Sequence, residues 1–190
     1  MKRLVLFASG SGTNVENIIN YFQNNKNIKV VQVLTNNKNA KVLNRCNKLN
    51  VKTLVFNKTD LYDSDTIVNL LKTEADYIIL AGFLWKVPQN IIDAFPNKII
   101  NIHPALLPNY GGKGMYGMHI HKAVVKNNEK ETGITIHFVN ENYDEGTIIF
   151  QKKVTLTPLD NENDVAKKIA LLEMANFPKI IEKVVIENRE

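Results

Sequence analysis

The stretch from Arg3 to Asn14, RLVLFASGSGTN, decides the fold class of this 190-residue chain. Residues 3–8 are almost entirely apolar and predict a buried β-strand, and residues 9–14 predict a tight glycine loop. Apolar residues then recur at helical spacing: Val15, Ile18, Ile19 and Phe22. A strand, a tight loop and a helix in direct succession are the opening unit of a parallel α/β sheet.

The same alternation continues through the first hundred residues. The predicted strands are residues 29–34, 51–56, 76–81 and 98–102, and the predicted helices are residues 40–49, a helix capped by Ser64, and residues 88–95. Continuous apolar strands separated by amphipathic helices favour a parallel sheet that is covered by helices on both faces.

The pattern changes after Pro104, where a long loop follows to Met118. Residues 132–139 and 147–154 then alternate as strands around the polar turn 140–146. A last helix, residues 163–187, has a predicted core-facing stripe and a kink at Pro178. The stripe consists of Val165, Ile169, Leu172, Ile180 and Val184. We therefore expect one α/β domain over residues 1–190, with a mostly parallel twisted sheet and an antiparallel C-terminal strand pair.

Charge and cysteine usage restrict the function classes. Lys and Arg number 24 and Asp and Glu 19, so the net charge of +5 attracts anionic ligands without a basic block for nucleic acid. Every apolar run is shorter than the roughly 18 to 20 residues of a membrane span, and we read no signal peptide. The single cysteine, Cys46, excludes an internal disulfide, and no metal-ligand spacing surrounds it. These features predict a cytoplasmic protein that needs no metal.

The glycine loop is the first candidate site. Gly10 and Gly12 permit a tight turn, and the N-terminus of the following helix offers free amide donors suited to phosphate. Ser11, Thr13 and Asn14 add side-chain donors. The third glycine of a dinucleotide fingerprint and the lysine of a P-loop are both missing. An ordinary strand-to-helix turn is the alternative interpretation.

Asn101 and His103 form the second candidate, at the end of an inner strand where ligands of open α/β sheets bind. Strand alternation puts both side chains on one side, so that an amide can hold an oxyanion and an imidazole can donate or shuttle a proton. A histidine satisfied by backbone is the alternative. We expect the loop 105–118 and the turn 140–146 to flank one cleft with this pair at its base.

Asp144 is the third candidate, because an aspartate in a turn can hold an imidazole in its charged form. Turn aspartates also serve purely local geometry. The remaining histidines, His119, His121 and His137, are interpreted as structural. Of the three, His137 is the best candidate for a functional role, since its strand leads towards the Asp144 turn.

Four blocks of the sequence resemble, in the same order, motifs of the phosphoribosylglycinamide formyltransferases of purine synthesis. They are Ser9–Asn14, Ala81–Leu84, Asn101–Pro108, and the segment from Thr132-Gly133 to Asp144-Glu145-Gly146. The resemblance covers nearly the whole chain, and the Asn101–Pro108 block with the Asp144 turn is specific to the wider formyltransferase family.

The resemblance implies small-molecule substrates: 10-formyltetrahydrofolate as co-substrate and 5'-phosphoribosylglycinamide as acceptor, without a metal. It implies a catalytic set of Asn101, His103 and Asp144, and direct attack of the acceptor amine through a tetrahedral intermediate. The implied acceptor residues are Gly12, Thr13 and Asn14 for the phosphate and Glu173 for the ribose or glycinamide. The implied folate residues are Leu84, Trp85, Lys86, Val87, the turn 140–144 and Asn101.

Some positions depart from the family pattern. Trp85 stands where a basic residue is common, and Thr59 stands near an expected arginine, so that Lys58 is the neighbouring cation. Asn109 replaces a frequent lysine. The segment 110–117 is longer than the short form of this loop, and Lys113 is its only cation.

Three alternatives remain at this point. A formyltetrahydrofolate hydrolase shares the chemistry but usually carries an N-terminal regulatory domain, against which the strand-first N-terminus argues. A methionyl-tRNA formyltransferase carries a second, RNA-binding domain, which the end of the sequence at Glu190 does not predict. A non-catalytic phosphate-binding module would need only the glycine loop and the positive charge.

Overall fold

Strands and helices alternate along the chain in the computed structural model, which describes residues 1–187. The strands are β1 (Lys2–Phe7), β2 (Ile28–Thr35), β3 (Lys52–Val55), β4 (Tyr77–Leu80), β5 (Ile99–His103), β6 (Glu131–Phe138) and β7 (Ile148–Thr155). The helices are α1 (Thr13–Phe22), α2 (Val42–Lys48), α3 (Thr66–Glu74), α4 (Gln89–Ala94), α5 (Met118–Lys126) and α6 (Glu162–Glu187).

All seven strands form one sheet in the order β3-β2-β1-β4-β5-β6-β7. The pairs from β3 to β5 are parallel, whereas β6 and β7 are antiparallel, which confirms the predicted fold class. The chain first builds outwards from β1 to β3 and then returns to place β4 on the other side of β1. The carboxyl ends of β1 and β4 therefore flank the crevice in which open α/β sheets bind ligands.

The core lies on both faces of the sheet, and β1 explains why its sequence is continuously apolar. Leu4 and Leu6 pack towards one face, on which α1, α5 and α6 bury their apolar residues. Val5 and Phe7 pack towards the other face, with the buried residues of α3 and α4. Alternate residues of a central strand thus contribute to two separate apolar layers.

Helix α6 runs without interruption through Pro178. Proline has no N–H to donate to the carbonyl four residues earlier, and Asn17 of α1 supplies that hydrogen bond instead, from Nδ2 to the Met174 oxygen at 2.9 Å. Three residues of the predicted stripe are buried, while Leu172 and Ile180 are only half-buried. Phe177 and Ile181, which the predicted stripe did not include, are fully buried. The Met174 carbonyl, which Pro178 leaves without a donor, thus takes its hydrogen bond from a neighbouring helix.

Ser64 is not the N-cap of α3, which is a correction to the sequence-based expectation. Asp65 is the N-cap, and a π-helical turn over Thr59–Asp63 comes before it. The Ser64 hydroxyl donates to the Asp60 carbonyl at 3.2 Å and accepts from the Thr66 amide at 3.3 Å, so it closes that turn. Within residues 1–187, no helix has both the length and the apolar character needed to span a membrane.

Candidate active site

A cavity of about 730 Å³ opens at the carboxyl ends of β1, β4 and β5. Its walls are the glycine loop, the residues after β4, the end of β5, the loop before α5, the turn at Asp144 and one side of α6. As predicted, the loop 105–118 and the turn 140–146 both flank this cleft, with Asn101 and His103 on its wall. Segments far apart in sequence, from the glycine loop to α6, therefore meet in one site.

Helix α2 holds the glycine loop in place. Arg45 donates from Nε to the Ser11 carbonyl at 2.9 Å and forms an ion pair with Glu16, and the Val42 amide donates to the Gly10 carbonyl at 3.2 Å. The Gly10 and Ser11 carbonyl groups therefore accept hydrogen bonds from α2. The first-turn amides of α1 have no intrahelical acceptor and carry the partial positive charge of the helix N-terminus.

Gly12 shows why this loop needs glycine. It is the N-cap of α1 with a left-handed φ of 73°, and a Cβ built there would lie 2.6 Å from the Val42 Cβ. Both the backbone conformation and the contact with α2 exclude a larger residue.

Asn14 and Glu173 connect the glycine loop to α6. The Asn14 Nδ2 donates to the Glu173 Oε2 at 2.9 Å, and both side chains line the cavity. Burial raises the pKa of Glu173, although the Asn14 hydrogen bond and the charge of His103 act to lower it. Glu173 therefore lies within electrostatic reach of His103, between the glycine loop and the end of β5.

The register of the sheet fixes the other wall. Asn101 lies directly opposite His137 on β6, and His103 lies opposite Thr135. The Asn101 Nδ2 is 3.1 Å from the His137 Nε2. His103 Nδ1 lies 3.4 Å from the Asp144 Oδ1, and its Nε2 lies 2.8 Å from the Tyr110 carbonyl oxygen. Since the Tyr110 carbonyl oxygen can only accept, the His103 Nε2 carries a hydrogen, and its Nδ1 faces the Asp144 carboxylate within ion-pair range.

Asp144 occupies a strained position, with a left-handed φ of 58°. Its Oδ2 accepts a hydrogen bond from the Gly112 amide at 2.9 Å. Burial alone would raise the pKa of Asp144, but interactions with the His103 ring, the His137 ring and the Gly112 amide together hold that pKa well below its usual range. The carboxylate is therefore ionised and faces the imidazole.

Sequence reasoning missed two residues that support this site. Tyr110 contributes its backbone carbonyl, which no sequence pattern predicts. Thr135 is fully buried, and its hydroxyl donates to the Ala105 carbonyl at 2.7 Å and accepts from the Leu107 amide at 3.0 Å. This hydroxyl ties the start of the long loop to β6. The sequence offers no signal for this role, because β6 also carries the polar residues Glu131, Thr132 and His137.

The predicted folate residues are placed unevenly. Leu84 lines the cavity and is half-exposed, whereas Trp85 packs against Phe56 and Tyr62 outside it. Lys86 lies outside as well, with its Nζ 5.9 Å from the centre of the Tyr143 ring, and Val87 is buried in the core. Of these four side chains, the structure brings only Leu84 onto the cavity wall.

Two further polar side chains of the lining come from the long loop and α5. Lys113 is the one lysine or arginine among the described lining residues. His121 is buried, and its Nδ1 has no hydrogen-bond partner within residues 1–187. Burial lowers the pKa of His121.

No group of three or more His, Cys, Asp or Glu side chains in the described part of the chain is arranged to hold a metal ion. Cys46 is buried in α2, and burial raises the pKa of its thiol to about 11. The thiol is therefore protonated and suits a core position rather than a reactive one.

Comparison with known proteins identifies relatives over almost the whole chain. Residues 2–181 match the family model described as "Formyl transferase". The chain is 36% identical over 187 residues to the chloroplastic phosphoribosylglycinamide formyltransferase of Arabidopsis thaliana, covering 95% of this chain and 64% of that protein. It is 30% identical to the phosphoribosylglycinamide formyltransferase of Escherichia coli K12, covering 94% and 84%. The chain thus spans slightly less than two thirds of the plant relative's length.

Solved structures agree with this relationship. The phosphoribosylglycinamide formyltransferase of Bacillus halodurans superposes with a TM-score of 0.86 at 32% identity, over 100% of this chain and 97% of that one. The glycinamide ribonucleotide transformylase 1 of Symbiobacterium toebii gives a TM-score of 0.88 at 29% identity, over 98% and 89%.

Proposed function

This chain belongs to the formyl transferase family, and we propose that it transfers the formyl group of 10-formyltetrahydrofolate to the amine of 5'-phosphoribosylglycinamide, a step of de novo purine biosynthesis. The observation that carries the proposal is the meeting of Asn101, His103 and Asp144 on the wall of one cavity, with the glycine loop and Glu173 opposite. This arrangement combines an oxyanion site with a site for an anionic acceptor.

The acceptor binds between α1 and α6 in this proposal. Its phosphate lies at the amides of Gly12, Thr13 and Asn14, where helix charge and free donors favour an anion. Lys113, on the cavity wall, is the cation available to this phosphate. Glu173 accepts hydrogen bonds from the ribose hydroxyls or the glycinamide and leaves the amine directed towards His103. The charge of His103 acts to lower the pKa of Glu173, which supports placing the acceptor between these two residues.

The reaction begins when the neutral acceptor amine attacks the formyl carbon, forming a new C–N bond and a tetrahedral oxyanion. Asn101 donates one amide N–H to this oxyanion. His103 turns its Nε2–H from the Tyr110 carbonyl to the same oxygen, while Asp144 holds the other ring nitrogen. The intermediate then collapses, the bond to folate N10 breaks, and the proton from the acceptor nitrogen passes to N10 through a water held at Asp144.

The folate lies on the opposite side of the catalytic residues, against the backbone of residues 84–87, the turn 140–144 and Asn101. Leu84 contributes its half-exposed side chain. The side chains of Trp85, Lys86 and Val87 are not part of the cavity lining, so in this proposal the backbone of that segment supplies the pterin contacts. Lys58, whose Nζ is 5.8 Å from the Trp85 ring, is the cation available to the anionic folate tail.

The proposed partners are these two small molecules, without a metal. We place the reaction in the cytoplasm because the single cysteine fits a reducing compartment. Two relatives, from Arabidopsis thaliana and Vigna unguiculata, are described as chloroplastic.

An assay distinguishes this function from its alternatives. Purified protein is mixed with 10-formyltetrahydrofolate, with and without 5'-phosphoribosylglycinamide, and the folate absorbance is followed. We expect turnover only when the acceptor is present. Turnover without the acceptor would indicate a hydrolase, and absence of turnover in both mixtures would favour a tRNA formyltransferase or a phosphate-binding module.

Replacement of Glu173 by Gln tests the acceptor site. Glutamine keeps the size of the side chain but loses one charged acceptor, and hydrogen bonds to charged groups contribute about 1.5–3 kcal/mol. We therefore expect the KM for the acceptor to rise on the order of 10-fold or more, with little change in the KM for folate.

Glu182→Gln is the matched control for this experiment. Glu182 lies on the same helix and also accepts hydrogen bonds, from Tyr21 of α1 and from Asn25 in the segment after α1, but it lies outside the cavity. Its replacement should leave both KM values unchanged. An unchanged acceptor KM in the Glu173 variant would remove Glu173 from the acceptor site.

A further inference from the structure

His137 is a buried histidine that the proposed chemistry does not use. Only 2% of its surface is exposed, and it lies on β6 directly opposite Asn101. Two ring contacts within hydrogen-bond range connect it to its surroundings, one to the Phe138 carbonyl and one to the Asn101 amide. A polar ring buried beside an oxyanion donor invites a functional explanation.

The first contact fixes the tautomer of His137. Its Nδ1 lies 2.8 Å from the Phe138 carbonyl oxygen, and a carbonyl oxygen can only accept. Nδ1 therefore carries a hydrogen, and in the neutral ring Nε2 keeps a lone pair. That lone pair faces the Asn101 Nδ2 at 3.1 Å, so the amide donates to the ring.

The second contact fixes the amide of Asn101. A carboxamide can rotate by half a turn and exchange its oxygen for its nitrogen at almost the same positions. Donation to His137 selects the orientation with nitrogen towards the ring and leaves one amide N–H unused beside the cavity. The opposite orientation would present an oxygen lone pair to a developing oxyanion and repel it.

We propose that His137 is a positioning residue that holds the Asn101 amide with its second N–H directed at the oxyanion. The inference rests on the proposed formyl transfer. His137 touches neither substrate and acts through Asn101 alone.

Asp144 is the competing partner for His137. Its Oδ1 is 3.7 Å from the His137 Nε2, which is longer than an ordinary hydrogen bond, although the His137 ring still helps to lower the pKa of Asp144. His103 approaches the same oxygen more closely, to 3.4 Å. A proton on Nε2 would also point a donor at the Asn101 Nδ2. The geometry therefore favours a neutral ring that serves Asn101 over a second charged histidine that serves Asp144.

A double-mutant cycle separates these two roles. His137→Phe removes the acceptor but fills the space, and we expect kcat to fall on the order of 10-fold, less than for complete loss of an oxyanion donor, with both KM values within about 2-fold. His137→Gln offers a carbonyl acceptor and should recover part of the loss. In an Asn101→Ala background the His137→Phe change should cost nothing further, because the residue it positions is absent.

If the two substitutions lower kcat by factors that simply multiply, the inference is overturned and His137 is taken to act through Asp144 instead. Melting temperature and circular dichroism establish that each variant is folded. If His137→Phe does not fold, the comparison of His137→Gln with wild type in both backgrounds carries the same test.

Nuclear magnetic resonance tests the inference independently of activity. In ¹⁵N-labelled protein at neutral pH, we expect the ring nitrogens of His137 to report a hydrogen on Nδ1 only. The Asn101 side-chain N–H₂ signals should shift in His137→Gln. A hydrogen on Nε2, or Asn101 signals that do not respond, would overturn the positioning role. An inactive wild-type protein that passes this test would refute the proposed function and leave the contact between the two residues intact.

Discussion

Replacement of Asp144 by Asn should lower kcat on the order of 10² or more, with both KM values nearly unchanged. Asparagine keeps the size of aspartate and can still accept the Gly112 amide, which lies 2.9 Å from the Asp144 Oδ2. It cannot balance the positive charge that the proposed mechanism requires on His103 opposite the oxyanion. Since that charge acts on a group that develops only in the transition state, the loss appears in kcat.

Asp160→Asn provides a matched control for this result. The pKa of Asp160 is also lowered, by its hydrogen bonds to Lys168 and Thr157, but this carboxylate lies outside the cavity. Its replacement should leave kcat unchanged. Steady-state kinetics across pH decides the question: a folded Asp144 variant with the kcat and pH profile of the wild type would exclude Asp144 from the mechanism.

The lowered pKa of Asp144 also predicts how stability depends on pH. A carboxyl group whose folded pKa lies below its ordinary value of 3.8 stabilises the protein above that pH. The contribution is lost as the pH falls below 3.8 towards the folded pKa. The melting temperature of wild type should therefore exceed that of Asp144→Asn at neutral pH, and the difference should shrink in acid. A difference that stays constant down to about pH 3 would contradict this linkage.

The sequence predicted the fold well because its signals are local. Each strand of the parallel part is marked by its own apolar run, and the glycine loop after β1 marks the crevice. Strand alternation was also sufficient to put Asn101 and His103 on one side of β5, and the structure confirms that both line the cavity.

The partners of these side chains depend on contacts between distant segments, which no local pattern encodes. Asn101 meets His137 because of the register between β5 and β6, and His103 meets the Tyr110 carbonyl because the long loop folds back. His137 was interpreted as structural, although its strand was recognised as leading towards Asp144. The alternation of β6 alone could not determine which residue of β5 lies opposite.

The residues predicted to contact folate also show the limit of local sequence patterns. The motif assigned residues 84–87 as a block, but tertiary packing distributes their side chains. Val87 enters the core, and Trp85 joins an aromatic cluster with Phe56 and Tyr62. A family resemblance therefore identifies a segment, whereas burial decides which of its atoms a ligand can reach.

Gly12→Ala should be the more damaging of the two glycine-to-alanine substitutions in the glycine loop. A left-handed conformation costs an L-residue roughly 1–2 kcal/mol, and Gly12 has a φ of 73°. The added Cβ would also lie 2.8 Å from the Val42 Cα, which is backbone and cannot rotate away. The start of α1 must therefore move relative to α2, and the amides proposed for the acceptor phosphate move with it.

We expect Gly12→Ala to raise the acceptor KM on the order of 10²-fold, since one misplaced phosphate site loses several charge-assisted hydrogen bonds, and to leave the folate KM within about 2-fold. Strain and overpacking together should lower the melting temperature by about 5–10 °C. Gly10→Ala is the stability control, because a Cβ there has no atom within 4 Å and its φ is not left-handed, so its melting temperature should match the wild type. Adding Val42→Ala to Gly12→Ala removes the Cγ2 that would lie 2.5 Å from the new methyl and should restore part of both losses. An acceptor KM that stays at the wild-type value in Gly12→Ala, despite the fall in melting temperature, would place the phosphate elsewhere in the cavity.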